Sequence, residues 1–294
     1  MTHPLDTTQD LTAGTFALGD LTVTRMGYGA MQLAGPHVFG PPRDREEAVR
    51  VLRRVVELGL NHIDTSDYYG PFVTNEVIKE ALHPYADDLV IVTKIGARRG
   101  DDGSWLPALA PEELAQAVHD NLDRLGLEVL DVVNFRAMSA SGEPEDGPIG
   151  EHVAVLEDLR QQGLIKHLGV SNVTLSQLEE ARTLTPVVCV QNHYNLAHRQ
   201  DDDIIDVCER EGIGFTSFFP LGGFSPLQSS TMDDVAARLG ATPMQVALAW
   251  MLQRSRNLLL IPGTSSVAHL EENVAAATLT LPAEAVADLD AVAG

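Results

Sequence analysis

The stretch LVIVTK, residues Leu89–Lys94, is the clearest indicator of the fold of this chain. It is an apolar run without polar alternation that ends in a lysine. Such a strand is buried on both faces, which is typical of a parallel sheet covered by helices. The preceding stretch LNHIDTSDYYG, Leu60–Gly70, repeats the arrangement, because a short apolar run leads into polar residues.

The same unit recurs along nearly all of the 294 residues, where short apolar runs alternate with longer amphipathic stretches. The predicted strands are Arg25–Gly29, Leu60–Asp64, Leu89–Lys94, Val129–Arg136, Lys166–Val170, Val187–Gln191, Ile213–Phe218 and Leu258–Ile261. The predicted helices are Arg45–Leu58, Asn75–Leu82, Pro111–Leu125, Gly150–Gln162, Leu175–Leu184, Asp201–Glu211 and Thr242–Gln253. Eight strands alternating with helices, without a linker, predict a single α/β domain over residues 1–294 with the (β/α)8 TIM-barrel fold.

A doubly wound sheet is the alternative architecture. It would require a glycine fingerprint after the first strand, but GYGAMQ at Gly27–Gln32 lacks the third glycine. The alternation in Phe16–Val23 around a Gly-Asp turn predicts an N-terminal β-hairpin before the barrel. Two long irregular connections are predicted on the C-terminal face, Ala97–Ala110 and Met138–Gly150, where such loops shape substrate pockets.

Composition excludes several classes of function. The formal net charge is −22, so we do not expect a nucleic-acid partner. The segment Met1–Asp10 lacks the pattern of a secretory signal, and no apolar run reaches the length of a membrane span. The two cysteines, Cys189 and Cys208, are expected to be buried thiols, so the sequence predicts a cytoplasmic protein. The histidines are scattered without ligand spacing, so no metal is expected.

Three side chains, Asp64, Tyr69 and Lys94, follow predicted strands and carry complementary chemistry. A free phenol has a pKa near ~10, which is too high for efficient proton donation at neutral pH. A neighbouring cation stabilises the phenolate, so we expect Lys94 to lower the pKa of Tyr69 and Asp64 to hold Lys94 in place. A lone tyrosine after a strand is more often a packing residue, but the combination favours a proton donor.

These residues and their spacing resemble the aldo-keto reductases, and the resemblance covers nearly the entire chain. It implies carbonyl reduction, in which a tyrosine protonates the oxygen while NAD(P)H delivers hydride to the carbon. It selects Tyr69 over Tyr68 because the family's acid immediately precedes a glycine. His62 is expected to be a barrel-interior residue. The family's usual histidine is replaced by Arg136, which shares a strand face with Asn134.

Arginine stays protonated, so Arg136 cannot act as an acid. We expect Arg136 to bind the carbonyl oxygen or to pair with an anionic group of the substrate. A structural ion pair with a carboxylate is the alternative. The arginine also fits the pyridoxal-reducing subgroup of the family, which the chain resembles in the segments Gly29–Pro36, Val38–Pro42, Leu221–Phe224 and Ile261–Ser266.

The resemblance also implies a cofactor site at the ends of later strands. Ser171, Asn172 and Gln191 would bind a nicotinamide carboxamide, and Phe218 would stack on the nicotinamide ring. Phe219 replaces a usual serine, so backbone amides near Leu221 would carry more of the pyrophosphate binding. The full predicted set is Gly29, Met31, Asp64, Ser171, Asn172, Gln191, Phe218, Phe219, Pro220, Leu221, Gly222, Gly223, Ile261, Gly263, Thr264, Ser265, His269, Glu272 and Asn273.

The segment after the last strand favours NADPH over NADH. Thr264–Ser266 offers hydroxyls and amides at a helix N-terminus, which suits an adenosine 2′-phosphate. Gly263 and His269 stand where some family members carry lysine and arginine. Helix capping alone would also explain the hydroxyl of Thr264.

The substrate implied is a small-molecule carbonyl compound, with pyridoxal the candidate. Its predicted contacts are Phe39, Phe72, Trp105, Asn134 and His193, although each is also an ordinary packing residue. Two alternatives stay open: a reductase of another small aldehyde or ketone, and a cofactor-binding regulatory protein with little turnover. A metal hydrolase on the same barrel is less favoured, and the sequence does not specify an oligomeric state.

Overall fold

Eight parallel strands form the centre of the computed structural model, which describes residues 11–139, 142–223 and 227–292. The barrel strands are β3 (Tyr28–Gly29), β4 (His62–Asp64), β5 (Val90–Ile95), β8 (Leu130–Arg136), β9 (Ile165–Ser171), β10 (Val187–His193), β11 (Gly214–Phe218) and β12 (Leu258–Leu260). They are hydrogen-bonded in chain order. Two antiparallel hairpins accompany them, β1 (Thr15–Leu18) with β2 (Leu21–Thr24), and β6 (Ala97–Arg99) with β7 (Trp105–Pro107).

Helices cover the outer face of the barrel. They are α1 (Arg45–Glu57), α2 (Val73–Leu82), α3 (Pro111–Leu125), α4 (Gly150–Gln161), α5 (Leu175–Leu184), α6 (Asp202–Glu211), α7 (Ser230–Leu239), α8 (Pro243–Arg254), α9 (Val267–Ala275) and α10 (Ala283–Asp290). Short 3-10 helices lie at Ala30–Leu33, Pro36–Val38 and Ala276–Thr278. Within the described residues, no helix combines the length and apolar character needed to cross a bilayer.

The first and last strands close the barrel. Met26 forms a parallel bridge with Leu260, and the amide of Gly27 donates to the Leu260 carbonyl at 2.8 Å. The amide of Leu260 in turn donates to the carbonyl of Arg25 at 2.8 Å. The predicted (β/α)8 barrel is therefore confirmed, and the doubly wound alternative is excluded.

Apolar side chains fill the barrel interior at its N-terminal end. Val90, Val92 and Val132 from β5 and β8 pack there with Leu18 and Val23 of the N-terminal hairpin. The hairpin predicted from Phe16–Val23 is thus confirmed, and it contributes to this interior cluster. Because the interior is packed at this end, the accessible chemistry lies at the carboxyl ends of the strands.

The predicted elements differ from the structure in identifiable places. Strand and helix ends agree within about three residues, the usual uncertainty of such boundaries. Helices α7 and α10 were not predicted, and the connection Ala97–Ala110 is not wholly irregular because it contains the β6–β7 hairpin. The interpretations placed on Met1–Asp10 and Phe224 lie outside the described residues.

Candidate active site

A buried ion pair lies at the carboxyl ends of β4 and β5. The Lys94 ammonium donates to Asp64 Oδ1 at 2.6 Å and to the carbonyl of Thr65 at 2.8 Å. The amide of Gln191 donates to Asp64 Oδ2 at 2.7 Å, so both carboxylate oxygens are satisfied. Asp64 and Lys94 are only 2% and 3% exposed. Burying two charges is costly, so this arrangement is stable only because its hydrogen bonds are nearly complete.

Tyr69 lies against this pair and is itself buried. The Lys94 ammonium is 5.1 Å from the centroid of the Tyr69 ring, so this cation faces the ring. Burial raises the pKa of Tyr69 well above its ordinary value, the charge of Asp64 raises it further, and the charge of Arg136 opposes both effects. The expectation that Lys94 lowers the pKa of Tyr69 is therefore wrong. Lys94 is engaged by Asp64, and the cation that favours the phenolate is Arg136.

Arg136 ends β8 beside the tyrosine. Its Nη1 donates to the Ser171 hydroxyl at 3.3 Å, and its guanidinium carbon lies 5.1 Å from the centroid of the Phe218 ring. No salt bridge joins Arg136 to a carboxylate within residues 11–139, 142–223 and 227–292, which removes the structural ion pair as its explanation. The guanidinium therefore keeps its charge available for a bound molecule.

Two adjoining concave spaces meet at Tyr69 and Phe218. The larger, here called the central cavity, has a volume of about 350 Å³. Its lining comprises Met31, Tyr68, Tyr69, Lys94, Trp105, Arg136, Met138, Ser139, Gly142, Asn172, Gln191, Phe218 and Phe219. The smaller, here called the groove, is lined by Gly29, Met31, Gln32, Asp64, Tyr69, Phe218, Phe219, Pro220, Leu221, Gly223, Ile261, Pro262 and Gly263. All four predicted catalytic residues line one space or both.

Three of the five predicted substrate contacts lie in three different places. Trp105 lines the central cavity, stacked on Arg99, whose guanidinium carbon is 3.9 Å from the nearer indole ring centroid. The Arg99 guanidinium carbon is also 5.3 Å from the centroid of the Phe39 ring, but Phe39 is 36% exposed and does not line the central cavity. Phe72 does not line the central cavity. It lines a separate cavity with Asp67, and its backbone at the start of α2 is left-handed.

The other two predicted substrate contacts lie behind the cavity wall. The ring of His193 stacks on Phe218, with centroids 5.5 Å apart, and does not line the central cavity. Asn134 is fully buried and faces Gly169, where an added Cβ would lie 1.9 Å from Asn134 Oδ1. His62 is likewise fully buried, as expected of a barrel-interior residue.

Two side-chain amide oxygens at the site lack donors among the described residues. Asn172 Oδ1 and Gln191 Oε1 are both buried and have no hydrogen-bond partner in that part of the chain. Asn172 Nδ2 donates to the carbonyl of Ala137 at 3.0 Å, which fixes its amide orientation. Asn172 and Phe219 also have left-handed backbones, with φ of +59° and +56°. Buried polar atoms without partners and strained backbones are both concentrated at binding sites.

The remaining predicted cofactor residues lie outside these two linings. Ser171 is buried and accepts from Arg136, while Gly222 lies between the groove residues Leu221 and Gly223. The residues of the predicted phosphate segment, Thr264, Ser265, His269, Glu272 and Asn273, lie just before or within α9.

The N-terminus of α9 already has one anionic partner. The amide of Val267 donates to Glu47 Oε1 at 3.1 Å. That hydrogen bond, together with one from Arg50, lowers the pKa of the Glu47 carboxyl. The Thr264 hydroxyl accepts from the amide of Ser266 at 3.2 Å. Glu47 was not predicted, because α1 is distant from α9 in sequence.

Several lining residues were also missed. Gln32 and Pro262 lie inside segments that the sequence analysis singled out, but were not selected. Met138, Ser139 and Gly142 come from the connection after β8, which was predicted to shape a pocket without naming residues. Tyr68 lines the central cavity although it was set aside in favour of Tyr69.

The family model described as the aldo/keto reductase family matches residues 25–293. Pyridoxine 4-dehydrogenase of Escherichia coli strain K12 is 64% identical over 283 residues, covering 96% of this chain and 99% of that protein. An uncharacterized oxidoreductase of Schizosaccharomyces pombe is 39% identical over 279 residues, covering 95% of this chain and 89% of that protein.

Solved structures show the same architecture. A thermostable aldo-keto reductase in complex with the inhibitor epalrestat is 28% identical with a TM-score of 0.80, covering 95% of this chain and 99% of its own. An aldo-keto reductase from Klebsiella pneumoniae in complex with NADPH is 26% identical with a TM-score of 0.73, covering 92% of this chain and 91% of its own. With its closed barrel, its site at the carboxyl ends of the strands and these relatives, this chain belongs to the aldo-keto reductase family of oxidoreductases.

Proposed function

We propose that this protein reduces the aldehyde of pyridoxal to the alcohol of pyridoxine, with NADPH as hydride donor and Tyr69 as proton donor. The observation that carries the proposal is the position of Tyr69 and Arg136 in one cavity. Asn172 Oδ1 and Gln191 Oε1, in the lining of the same cavity, are buried and can accept hydrogen bonds from a bound molecule. The similarity to pyridoxine 4-dehydrogenase supports the choice of substrate. A cytoplasmic location and one catalytic domain belong to the same proposal, and the free thiols of Cys189 and Cys208 support the former.

The site has groups that fit a nicotinamide cofactor. Asn172 Oδ1 and Gln191 Oε1 would accept hydrogen bonds from the amide group of the nicotinamide carboxamide. The Phe218 ring would pack against the nicotinamide. Gly29 keeps the groove wall compact, since a Cβ there would lie 2.5 Å from the carbonyl oxygen of Ile261. When bound, the cofactor supplies the hydride that reduces the carbonyl carbon.

The pKa of Tyr69 determines how the proton is held. Because burial and Asp64 raise this pKa, the phenol keeps its proton at neutral pH, and the charge of Arg136, which lowers the pKa, favours release of the proton once a carbonyl oxygen develops negative charge. Tyr69 then donates this proton to the oxygen as the π electron pair of the carbonyl moves onto it. Arg136 stabilises both the developing charge and the phenolate left behind. A proton from water finally restores the phenol.

The central cavity suits a small aromatic aldehyde with an anionic neighbour. Its volume of about 350 Å³ is at the lower end of ligand pockets. Tyr68, Trp105 and Phe218 offer aromatic surfaces for a planar ring. In pyridoxal the aldehyde is adjacent to a phenolate oxygen, and Arg136 provides a charged donor for that oxygen.

The preference for NADPH over NADH depends on opposing features at α9. The hydroxyls of Thr264–Ser266 and the helix N-terminus favour a 2′-phosphate. The carboxylate of Glu47 at the Val267 amide repels one. The NADPH bound by the Klebsiella pneumoniae relative supports the phosphorylated cofactor. We expect selectivity for NADPH, measured as the ratio of kcat/KM values for the two cofactors.

NADPH oxidation with pyridoxal, followed by absorbance, tests the proposal directly. Tyr69→Phe should lower turnover by about 10²- to 10⁴-fold, because it removes the proton donor, and should leave NADPH affinity nearly intact. Tyr68→Phe is the matched control, since it removes a neighbouring phenol from the same cavity, and it should retain most of the activity. A Tyr69→Phe variant that keeps most of its activity would exclude Tyr69 as the donor.

Arg136→Met tests the assigned role of the arginine. It should lower turnover by about 10²- to 10³-fold while changing NADPH binding little, because it removes charge stabilisation at the reacting oxygen. Equal losses in turnover and cofactor binding would contradict this role. If NADPH binds but pyridoxal and a panel of aldehydes and ketones give no turnover, the reductase proposal fails and a cofactor-binding regulatory role replaces it.

A further inference from the structure

Two histidines that are separated in sequence lie face to face beside the site. His193 ends β10, and a tight turn returns the chain to His198 through reciprocal backbone hydrogen bonds of 3.0 Å between Asn195 and His198. The two imidazole rings stack with centroids 3.8 Å apart and planes 18° apart. Their arrangement arises from the turn, so sequence spacing alone did not indicate it.

A carboxylate completes the cluster. Glu143, from the connection after β8, contributes an oxygen that lies within 4.8 Å of a ring nitrogen of each histidine, and the two nitrogens also lie within 4.8 Å of each other. In a tetrahedral zinc site with bonds of about 2.1 Å, ligand atoms are separated by about 3.4 Å. Bringing the ligand atoms to that separation, with both ring nitrogens directed at one ion, requires the two imidazoles to turn out of their stacked arrangement. Glu143 is exposed and the histidines are half-buried, so an ion from solution has access.

We propose that Glu143, His193 and His198 form a binding site for a divalent transition-metal ion of the Zn²⁺ type. Two imidazoles and one carboxylate are the ligand set that zinc and cobalt accept, with water in the remaining position. Calcium and magnesium prefer all-oxygen sites, so they are not the expected occupants. The net charge of −22 also attracts cations to the surface of this protein.

The surroundings of the cluster orient one of its members. Asn195 Nδ2 lies 3.3 Å from His193 Nε2, and the same amide donates to the carbonyl of Phe219 at 3.0 Å. The amide therefore links the imidazole to the residue after β11 that lines both the central cavity and the groove. An amide nitrogen only donates, so His193 Nε2 accepts this hydrogen bond, and an ion that binds at Nε2 would take the place of the amide.

The cluster lies next to the proposed active site, so a bound ion would affect the reaction. His193 stacks on Phe218, the proposed platform for the nicotinamide, and Glu143 directly follows Gly142, which lines the central cavity. A bound ion would therefore fix the connection after β8 to the end of β10, beside the place where substrate and cofactor meet. We expect Zn²⁺ to inhibit the reductase, a consequence that rests on the proposed function.

Titration of the full-length, tag-free protein with Co²⁺ tests the site without any need for turnover. Visible absorption of tetrahedral Co²⁺ should saturate at one equivalent and disappear on addition of Zn²⁺. His198→Ala and Glu143→Gln should each weaken binding by at least about tenfold. His167→Ala is the control, because His167 pairs with Asp20 elsewhere on the protein. The affinity of this variant for Co²⁺ should match that of the unchanged protein. Absence of the signal, or equal affinities in all four proteins, would overturn the site.

Enzyme assays then test the consequence. In the presence of a chelator, the His198→Ala and Glu143→Gln proteins should reduce pyridoxal at the unchanged rate, while Zn²⁺ should inhibit the unchanged and His167→Ala proteins only. Zn²⁺ binding without inhibition would overturn the regulatory consequence. Failure of every protein to reduce carbonyl compounds with the chelator present would count against the proposed function, and the Co²⁺ titration would still decide the site.

Discussion

Asp67 makes a quantitative prediction about stability and pH. This carboxyl is 5% exposed, and burial together with the charge of Asp120 raises its pKa to about 7. The ordinary pKa of an aspartate is 3.8. Between pH 3.8 and about 7, Asp67 is therefore protonated in the folded protein and ionised in the unfolded chain. The difference of about three pKa units, at 1.36 kcal/mol each, corresponds to roughly 4 kcal/mol. The free energy of unfolding should fall by that amount as the pH rises from about 4 to above 7.

The substitution Asp67→Asn isolates this effect, because it keeps the shape and removes the titration. At pH 4.5 the variant and the unchanged protein should unfold with similar free energies, whereas at pH 8 the variant should be more stable by up to roughly 4 kcal/mol. Guanidinium unfolding at the two pH values, without cofactor, measures the difference.

Two further variants serve as controls for that measurement. Asp120→Asn should reproduce part of the gain at pH 8, because the charge of Asp120 contributes to the raised pKa of Asp67. Asn at the exposed position Asp87 should leave the pH dependence unchanged. A stability difference between the Asp67→Asn and unchanged proteins that is the same at pH 4.5 and pH 8 would refute the reasoning.

Three other substitutions have expected outcomes. Gly169→Ala should destabilise the protein by about 1–3 kcal/mol in urea unfolding, because the added Cβ would lie 1.9 Å from Asn134 Oδ1; equal stability would contradict this. Glu157→Gln should lower the free energy of unfolding by about 1–2 kcal/mol at pH 7 and by little near pH 2. A hydrogen bond from Arg160 lowers the pKa of Glu157 to about 2, and the stabilisation from the carboxylate is lost as the pH falls from 4.5. Unfolding of both proteins at the two pH values measures the difference. Arg99→Met should raise the KM for pyridoxal several-fold with less change in kcat, since this guanidinium supports the β7 tryptophan in the central cavity; an unchanged KM would exclude the support role.

Much of the fold could be predicted because each barrel strand has a simple signature. Leu89–Lys94 is an apolar run that ends in lysine and Val129–Arg136 is rich in apolar residues, and the structure places β5 and β8 there with ends shifted by at most one residue. Two helices were missed in the last quarter of the chain, although Ser229 at the N-cap and Gly240 at the C-cap of α7 are ordinary helix signals. Polar residues near the preceding loop made the short amphipathic pattern of α7 difficult to recognise in the sequence.

The site was predictable only as far as strand ends determine position. The carboxyl ends of parallel strands meet on one face, and this brought Asp64, Lys94 and Arg136 together as expected. The direction of the pKa shift of Tyr69 was not predictable, because it depends on burial and on which partner occupies Lys94. The positions of Phe72 and Glu143 depend on the path of the connecting loops, which cannot be predicted from the spacing of residues in the sequence.

The left-handed backbone of Asn172 restricts which residues an engineer could place at that position. The backbone there, with φ of +59°, is tolerated best by glycine, asparagine and aspartate. The side chain must also donate to the carbonyl of Ala137 while leaving an oxygen for a bound amide. Glycine satisfies the backbone without the side chain, aspartate cannot donate when ionised, and glutamine keeps the amide with an unsuitable backbone preference. A library at position 172 therefore has one member that satisfies both demands, and variation of cofactor affinity is better sought at positions of the groove with ordinary backbones.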